Sequence, residues 1–321
     1  MKHFLLTAAA AAMVLALGSC AKTEVTDVPD SRYIGFDNAY IGNPTKGGLP
    51  QEGQYGSGNG ISQFFVFGNT SVDDVVFDDI RVYESNGQWV YDVLKQWQSG
   101  ATYKFAAYST NENTPLDNVL FSYDDHQLTI PDFVSNNSSQ RDLLVATSSE
   151  DLNLDNVPVQ FTFKHALAMI KFTLQSSLGD NNAITITEFK VTGINTKATL
   201  NVSESNGTTL SWGTASENST AFENTNASMT AKTSVPAVSD EFVVIPQTIT
   251  GNVTVTFKVA IEGVTQEPKE LTATISNPDW KNGLRYNYVA TITGTDVDVI
   301  EFSAPIIEDW DTYTDVPEDI D

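Results

Sequence analysis

The feature that most constrains how this chain can fold is a two-residue period in its apolar side chains. In GLRYNYVATITG, Leu284, Tyr286, Tyr288, Ala290 and Ile292 alternate with Arg285, Asn287, Val289, Thr291 and Thr293, the pattern of a strand with one buried face. ISQFFVFG, YKFAAYST, HQLTIPDFV, AITITEFKVTGI, NVTVTFKVAIEG and KELTATIS are similar runs. Helical spacing is nearly absent, and DVLKQWQSG from Asp92 is the best candidate for one short turn or helix. Two hairpins announce themselves, DIRVYESNGQWVYDV at Asn86-Gly87 and TKATLNVSESNGTTLSW at Asn206-Gly207. Asn-Gly suits the positive φ angles of a type I′ turn, so these four residues are structural candidates. Many short Thr/Val/Ile-rich strands between Asn, Gly, Ser and Asp turns describe an all-β chain built of β-sandwiches.

At 321 residues and 40% hydrophobic content the chain exceeds the usual size of one domain and can bury real cores. One boundary suggests itself at EDLNLDNVPVQ, where a polar acidic stretch with Pro158 precedes the strongest β run, VQFTFKHALAMIKFTLQ. This divides the chain into an N-terminal sandwich over 30–157 and a C-terminal one over 158–321. Within the first, residues 41–60 hold IGNPTKGGLPQEGQYGSGNG, a Gly/Pro-rich connection expected to be exposed and easily cut. It follows an early strand, RYIGFDNAY.

Cys20 is the sole cysteine, so no disulfide can form within the chain. It stands behind a short positive start, MKH, and an Ala/Leu-rich run from Phe4 to Leu17 that is too short to span a bilayer and fits a secretory signal. Leu17-Gly18-Ser19-Cys20 resembles the bacterial lipobox, which implies a signal peptide over 1–19, lipidation of Cys20, including an amide-linked chain such as palmitate, and a lipidated linker over 20–29. The alternative is an ordinary secretory signal beside a chance cysteine. Several acyl chains anchor stably where one does not. Removing residues 1–19 takes away Lys2 and no acid, leaving 16 basic against 41 acidic side chains. Such a surface is repelled by phosphate backbones, which excludes nucleic acid as a partner.

No catalytic constellation emerges. His126 and His165 are the only histidines left after the signal, they lie far apart in sequence, and no G-x-S-x-G elbow is present. GSGNG at Gly56 lacks dinucleotide-binding spacing. His165, on the apolar side of Phe161, Phe163, Leu167 and Met169, reads as a hydrogen-bonded core histidine rather than a base. Asp73-Asp74, Asp78-Asp79 and Asp124-Asp125 lack the order of a Ca²⁺ loop and read as solvated turns. Trp89, Trp97 and Trp212 could form a sugar-stacking platform, though strand aromatics are more often core. The expectation is a non-enzyme without cofactor or metal.

Taken in order, LGSC, the early strand followed by Thr45-Lys46-Gly47, FTFKHALAMIKFTL, VVIPQT at Val243, WKNGLRYNYVATI at Trp280 and VIEFSAPIIEDW resemble the fimbrillin-like lipoproteins of Bacteroidetes, the pilins of type V pili. The resemblance implies two tandem transthyretin-like β-sandwich domains. It also implies export to the outer membrane through the lipid anchor, and use as a stalk, tip or anchor subunit of an adhesive fibre. Partners would be other pilin subunits and a host or bacterial surface receptor. In that family a protease removes the first strand, and another subunit's terminal strand fills the groove left behind.

Here the removable strand would be Arg32 to Tyr40, with Lys46 and Arg32 as candidate processing residues. Relatives are cut after arginine, whereas Ile41 to Gly60 contains no arginine and one basic residue, Lys46. Cleavage after Lys46 and no cleavage are both open, and an uncut subunit would be an anchor or a non-polymerising relative. The candidate donor strand is 296–310, with Val297 and Val299 on one face and, after a one-residue slip, Ile300, Phe302, Ala304 and Ile306 on another; Ile307 and Trp310 complete the set. The alternative is an edge strand pairing within its own domain. The competing function is an outer-membrane glycan-binding lipoprotein beside a nutrient importer.

Overall fold

The computed structural model describes residues 33–41, 61–72, 74–149, 151–153, 158–218, 220–264, 267–294 and 300–310, and among these every regular element is a strand. The first eight are β1 Phe36–Ile41, β2 Gln63–Thr70, β3 Val75–Ser85, β4 Gln88–Val90, β5 Tyr103–Ser109, β6 Leu120–Ser122, β7 Gln127–Val134 and β8 Leu144–Thr147. Next come β9 Val159–His165, β10 Ala168–Ser176, β11 Ile184–Thr192, β12 Lys197–Glu204, β13 Thr208–Trp212, β14 Phe222–Glu223, β15 Ser228–Ala231 and β16 Ala237–Val238. The last are β17 Phe242–Val244, β18 Gln247–Thr248, β19 Asn252–Ile261, β20 Lys269–Ser276, β21 Asp279–Trp280, β22 Leu284–Ile292 and β23 Ile306–Asp309.

A seven-stranded sheet runs β1-β9-β8-β5-β2-β3-β4, and a four-stranded sheet runs β13-β12-β7-β6. Strand β2 is buried on both faces. Phe64 and Val66 join Phe105, Ala107, Phe161 and Phe163 in one apolar cluster. Phe65 and Phe67 join Ala106, Tyr108, Leu128, Ile130, Leu200 and Val202 in another, against the four-stranded sheet. Farther along the chain, β16-β10-β22-β23 faces β14-β11-β19-β20, and β18 pairs with β21 beside them. Phe172, Leu174, Tyr286 and Tyr288 from the first of these sheets meet Ile186, Val191, Val255 and Phe257 from the second in a third core.

The expected division at 157/158 does not match the hydrogen bonding. Strand β9 pairs with β8 and β1, and β12 pairs with β7, so chain from beyond residue 158 completes both sheets of the first unit. The reason is that Val159, Phe161 and Phe163 are buried in the aromatic cluster around β2, and Leu152 before them already bridges Tyr103 of the same sheet. The long run beginning at Val159 is therefore two strands, divided at Ala166-Leu167, one for each unit. The second cluster continues across this divide through Leu167, Met169, Val243 and Ile245.

The segment from Asp92 holds no helix. Its amides are taken by tertiary partners instead of by carbonyls four residues back: Lys95 N–H donates to the Tyr91 hydroxyl at 3.2 Å and Gln98 N–H to the Tyr103 hydroxyl at 2.7 Å. Both Asn-Gly pairs turn hairpins, β3–β4 and β12–β13, and each lies within the same tetrapeptide, Glu-Ser-Asn-Gly. Asn86 and Gly87 have φ of 54° and 78°, Asn206 and Gly207 59° and 107°. In both turns a carboxylate closes the loop, Glu84 accepting from Gly87 N–H and Glu204 from Gly207 N–H, each at 2.6 Å.

Candidate functional site

Strand β1 is an outer strand of the seven-stranded sheet among the described residues and runs parallel to β9, with Phe36 opposite Val159 and Ile41 opposite Phe163. The register slips between Asp37 and Tyr40. A short, irregular parallel pairing is a weak hold, so side chains must do much of the work. Phe36 is 6% exposed and meets five rings: Phe77 at 5.5 Å, Phe64 and Tyr91 at 5.8 Å, Phe161 at 6.0 Å and Phe105 at 6.4 Å. Four of these contacts are edge-on, the favoured geometry of aromatic pairs. Ile34 and Ala39 are buried on either side. Tyr91 donates its hydroxyl to Ile34 O at 2.6 Å, and Val159 N–H donates to Gly35 O at 2.8 Å. Burial pushes the Tyr91 hydroxyl above its ordinary pKa, which keeps it a donor. The edge thus presents an aromatic socket occupied by one phenyl ring on a strand of six residues.

The C-terminal segment packs against its own chain. Ile300 enters the third core and Phe302 sits edge-on to Phe172 at 5.3 Å. Strand β23 pairs antiparallel with β22, Ile306 opposite Asn287 and Ile307 opposite Tyr286, but both isoleucines stay more than half exposed, at 54% and 55%. Trp310 N–H then donates to Gly283 O at 2.8 Å, and the indole stacks on His165 with centroids 4.4 Å apart and planes 6° off parallel. His165 ends β9, is 9% exposed, and its Nδ1 lies 2.6 Å from Asp142 Oδ2. The stack therefore ties the last edge strand to the seven-stranded sheet. Sequence reading places His165 in the core but gives no sign of Asp142 or of the indole above it.

Cys20, Arg32, Lys46, Val297 and Val299 lie outside the described residues. The three tryptophans share no platform: Trp97 is buried edge-on to Tyr103, Trp89 leans on Phe64, and Trp212 sits in the separate second cluster, donating its indole N–H to Ala166 O. His126 is buried, its Nε2 3.0 Å from Phe105 O. Of the acidic pairs, Asp79 accepts from the Tyr108 hydroxyl at 2.9 Å; burial raises its carboxyl above the usual range, this bond opposes the shift, and Asp78 adds to it. Among the described residues no three His, Cys, Asp or Glu side chains gather as metal ligands.

Residues 51–310 match the profile of fimbrillin-like proteins. The chain belongs to that family. Solved structures similar to it have the same all-β architecture. A fimbrial protein from Bacteroides vulgatus is 19% identical, with 87% of this chain and 99% of that one aligned at a TM-score of 0.60. A protein assigned to cell adhesion in Bacteroides ovatus is 14% identical over 87% and 98%, TM-score 0.55, and another in Bacteroides uniformis 17% over 88% and 100%, TM-score 0.52. No curated protein matches the chain. Within this fimbrillin-like chain Phe36 fills the β1 socket, and it is the residue that sequence reading passes over. The cue available was its central place in RYIGFDNAY, ahead of a Gly/Pro-rich stretch.

Proposed function

We propose that this protein is a cell-surface fimbrillin-type lipoprotein, anchored to the outer membrane through Cys20, that serves as a structural or adhesive subunit of a type V pilus assembled by donor-strand exchange. The role is mechanical and non-enzymatic. Its partners are other pilin subunits and, for an adhesive subunit, a surface receptor. The single observation that carries the reading is the β1 edge: one weakly paired parallel strand fills an aromatic socket, and its removal would leave both the edge of β9 and the socket open. The donor would be the segment 296–310, which here packs on its own chain through Ile300, Phe302 and Trp310 and would have to leave those seats, while Ile306 and Ile307 already face solvent. The N-terminal and C-terminal units, transthyretin-like in the family, would stack along the fibre.

The test is truncation of the mature chain through Lys46, which removes β1. The truncated protein should form ladders of oligomers resistant to mild denaturant. Ile306→Asp with Ile307→Asp should abolish them, because a buried unpaired carboxylate costs several kcal/mol. The same change should leave the intact monomer folded, since both side chains are exposed there. Truncated protein that stays monomeric at high concentration would remove the stalk-subunit reading.

A further inference from the structure

The two ends of the first unit differ in what they expose. Strands β1, β3, β5 and β9 all begin at one end of the seven-stranded sheet, because β1 is parallel to β9 and antiparallel pairings link β9 to β8, β8 to β5, β5 to β2 and β2 to β3. The opposite end, where β9 finishes at His165, is covered by the C-terminal unit through Trp310 and Leu167. The starting end is the pole away from that contact. Three segments converge there. Ile34 N–H donates to Lys95 O, Tyr33 bridges Gln96, Gln98 Nε2 donates to Asp74 Oδ2 at 3.4 Å, and Ser71 N–H donates to Thr102 O.

On these loops and at the start of β3 stand Val72, Val75, Val93 and Leu94, exposed by 62%, 62%, 67% and 57%. They form two exposed apolar pairs on segments that the Gln98–Asp74 hydrogen bond joins. This is also the pole at which the chain arrives from its amino-terminal side. Between Cys20 and Tyr33 lie thirteen peptide steps, which span about 45 Å at most at 3.3–3.6 Å each. An acylated Cys20 therefore holds this pole within that distance of the bilayer.

We propose that the pole bearing Val72, Val75, Val93 and Leu94 is a lipid-resting surface that seats the tethered protein on the membrane with its C-terminal unit pointing outward. The inference rests on lipidation of Cys20. Asp74 and Asp92 accompany Lys95 at this pole, so anionic headgroups do not attract it. The fitting surface is zwitterionic, entered by the four apolar side chains to the headgroup boundary.

The test uses full-length mature protein lipidated in a heterologous Gram-negative host, with Leu94→Cys as the only free thiol because the sole native cysteine is acylated. Val72→Cys provides a second position on a different loop, and Thr230→Cys on β15 of the C-terminal unit is the control. Each is labelled with an environment-sensitive fluorophore and reconstituted on phosphatidylcholine vesicles carrying a lipid quencher near the headgroups. Fluorescence at 94 and 72 should shift to the blue and lose more than half its intensity to the quencher, while 230 is unaffected. Protein that pellets with the vesicles but shows no quenching at 94 and 72 would overturn the resting surface alone. Cross-links from 94 to a second copy in that state would assign the pole to a neighbouring subunit instead. Protein that fails to pellet would overturn the anchor and the resting surface together.

Discussion

Replacing Phe36 by Ala isolates the aromatic socket. The ring is almost fully buried and touches five others, so its loss removes both transfer energy and edge-on contacts; Phe→Ala changes in cores cost about 3–5 kcal/mol. What matters is where that cost falls. Strand β1 is otherwise held by Ile34, Ala39 and a slipped parallel ladder to β9, and a few such contacts do not compensate a loss of this size. The strand should therefore open locally without unfolding the sheet beneath it. At 1.4 kcal/mol per decade, amide exchange across residues 36–41 should accelerate by about two to three and a half orders of magnitude, while β2, β5 and β8 exchange nearly as before. Mass-resolved hydrogen exchange of the intact protein reads this directly. If β1 exchange is unchanged while the melting temperature falls and all strands exchange together, Phe36 belongs to the global cooperative core. The strand would then not be separately releasable.

Two further outcomes follow from the geometry. Trp310→Ala should raise exchange over 300–310 and cost about 2–4 kcal/mol, near the lower end for buried aromatics because the indole sits at a surface junction; His165→Ala should cost about 1–3 kcal/mol, and a double-mutant cycle showing no coupling between them would mean that the stack holds nothing. Asp79→Asn should stabilise the protein near neutral pH by roughly a few tenths of a kcal/mol, discounted for partial exposure. A carboxyl whose folded pKa is raised stabilises the fold below its unfolded pKa and loses that contribution as pH rises through the folded value. Asn keeps an acceptor for Tyr108 and tolerates the φ of 54° at this position, so the gain should vanish in acid; a gain that is equal at both pH values would show that burial of the charge is not its cause.

Local chemistry was legible in the sequence wherever a pattern is enforced by near neighbours. The period-two runs become β2, β5, β7, β11, β19, β20 and β22, and Asn86-Gly87 and Asn206-Gly207 turn their hairpins because only such residues accept two successive positive φ angles. The segment from Asp92 failed as a helix because the hydroxyls that capture its amides belong to Tyr91 and Tyr103, and nothing in a nine-residue window shows that Tyr103 lies above it. Pairings between distant segments were equally hidden. Strand β12 has the same alternation whether it joins its own half or β7, and only the second apolar cluster decides the matter.

The division of the chain illustrates the same limit from the other side. A polar acidic stretch before Pro158 punctuates the sequence, but punctuation records where water is tolerated, not where a core ends. Strand β9 follows that stretch in sequence and immediately supplies Phe161 to the socket that holds Phe36. At its other end His165 receives Trp310. One strand of seven residues thus touches the seats of both terminal segments, β1 along its edge and the end of β23 at its last residue. A change that displaces β1 acts on the same strand that carries the histidine beneath Trp310, so release of the first segment and loosening of the last share a physical element through which they can be coupled.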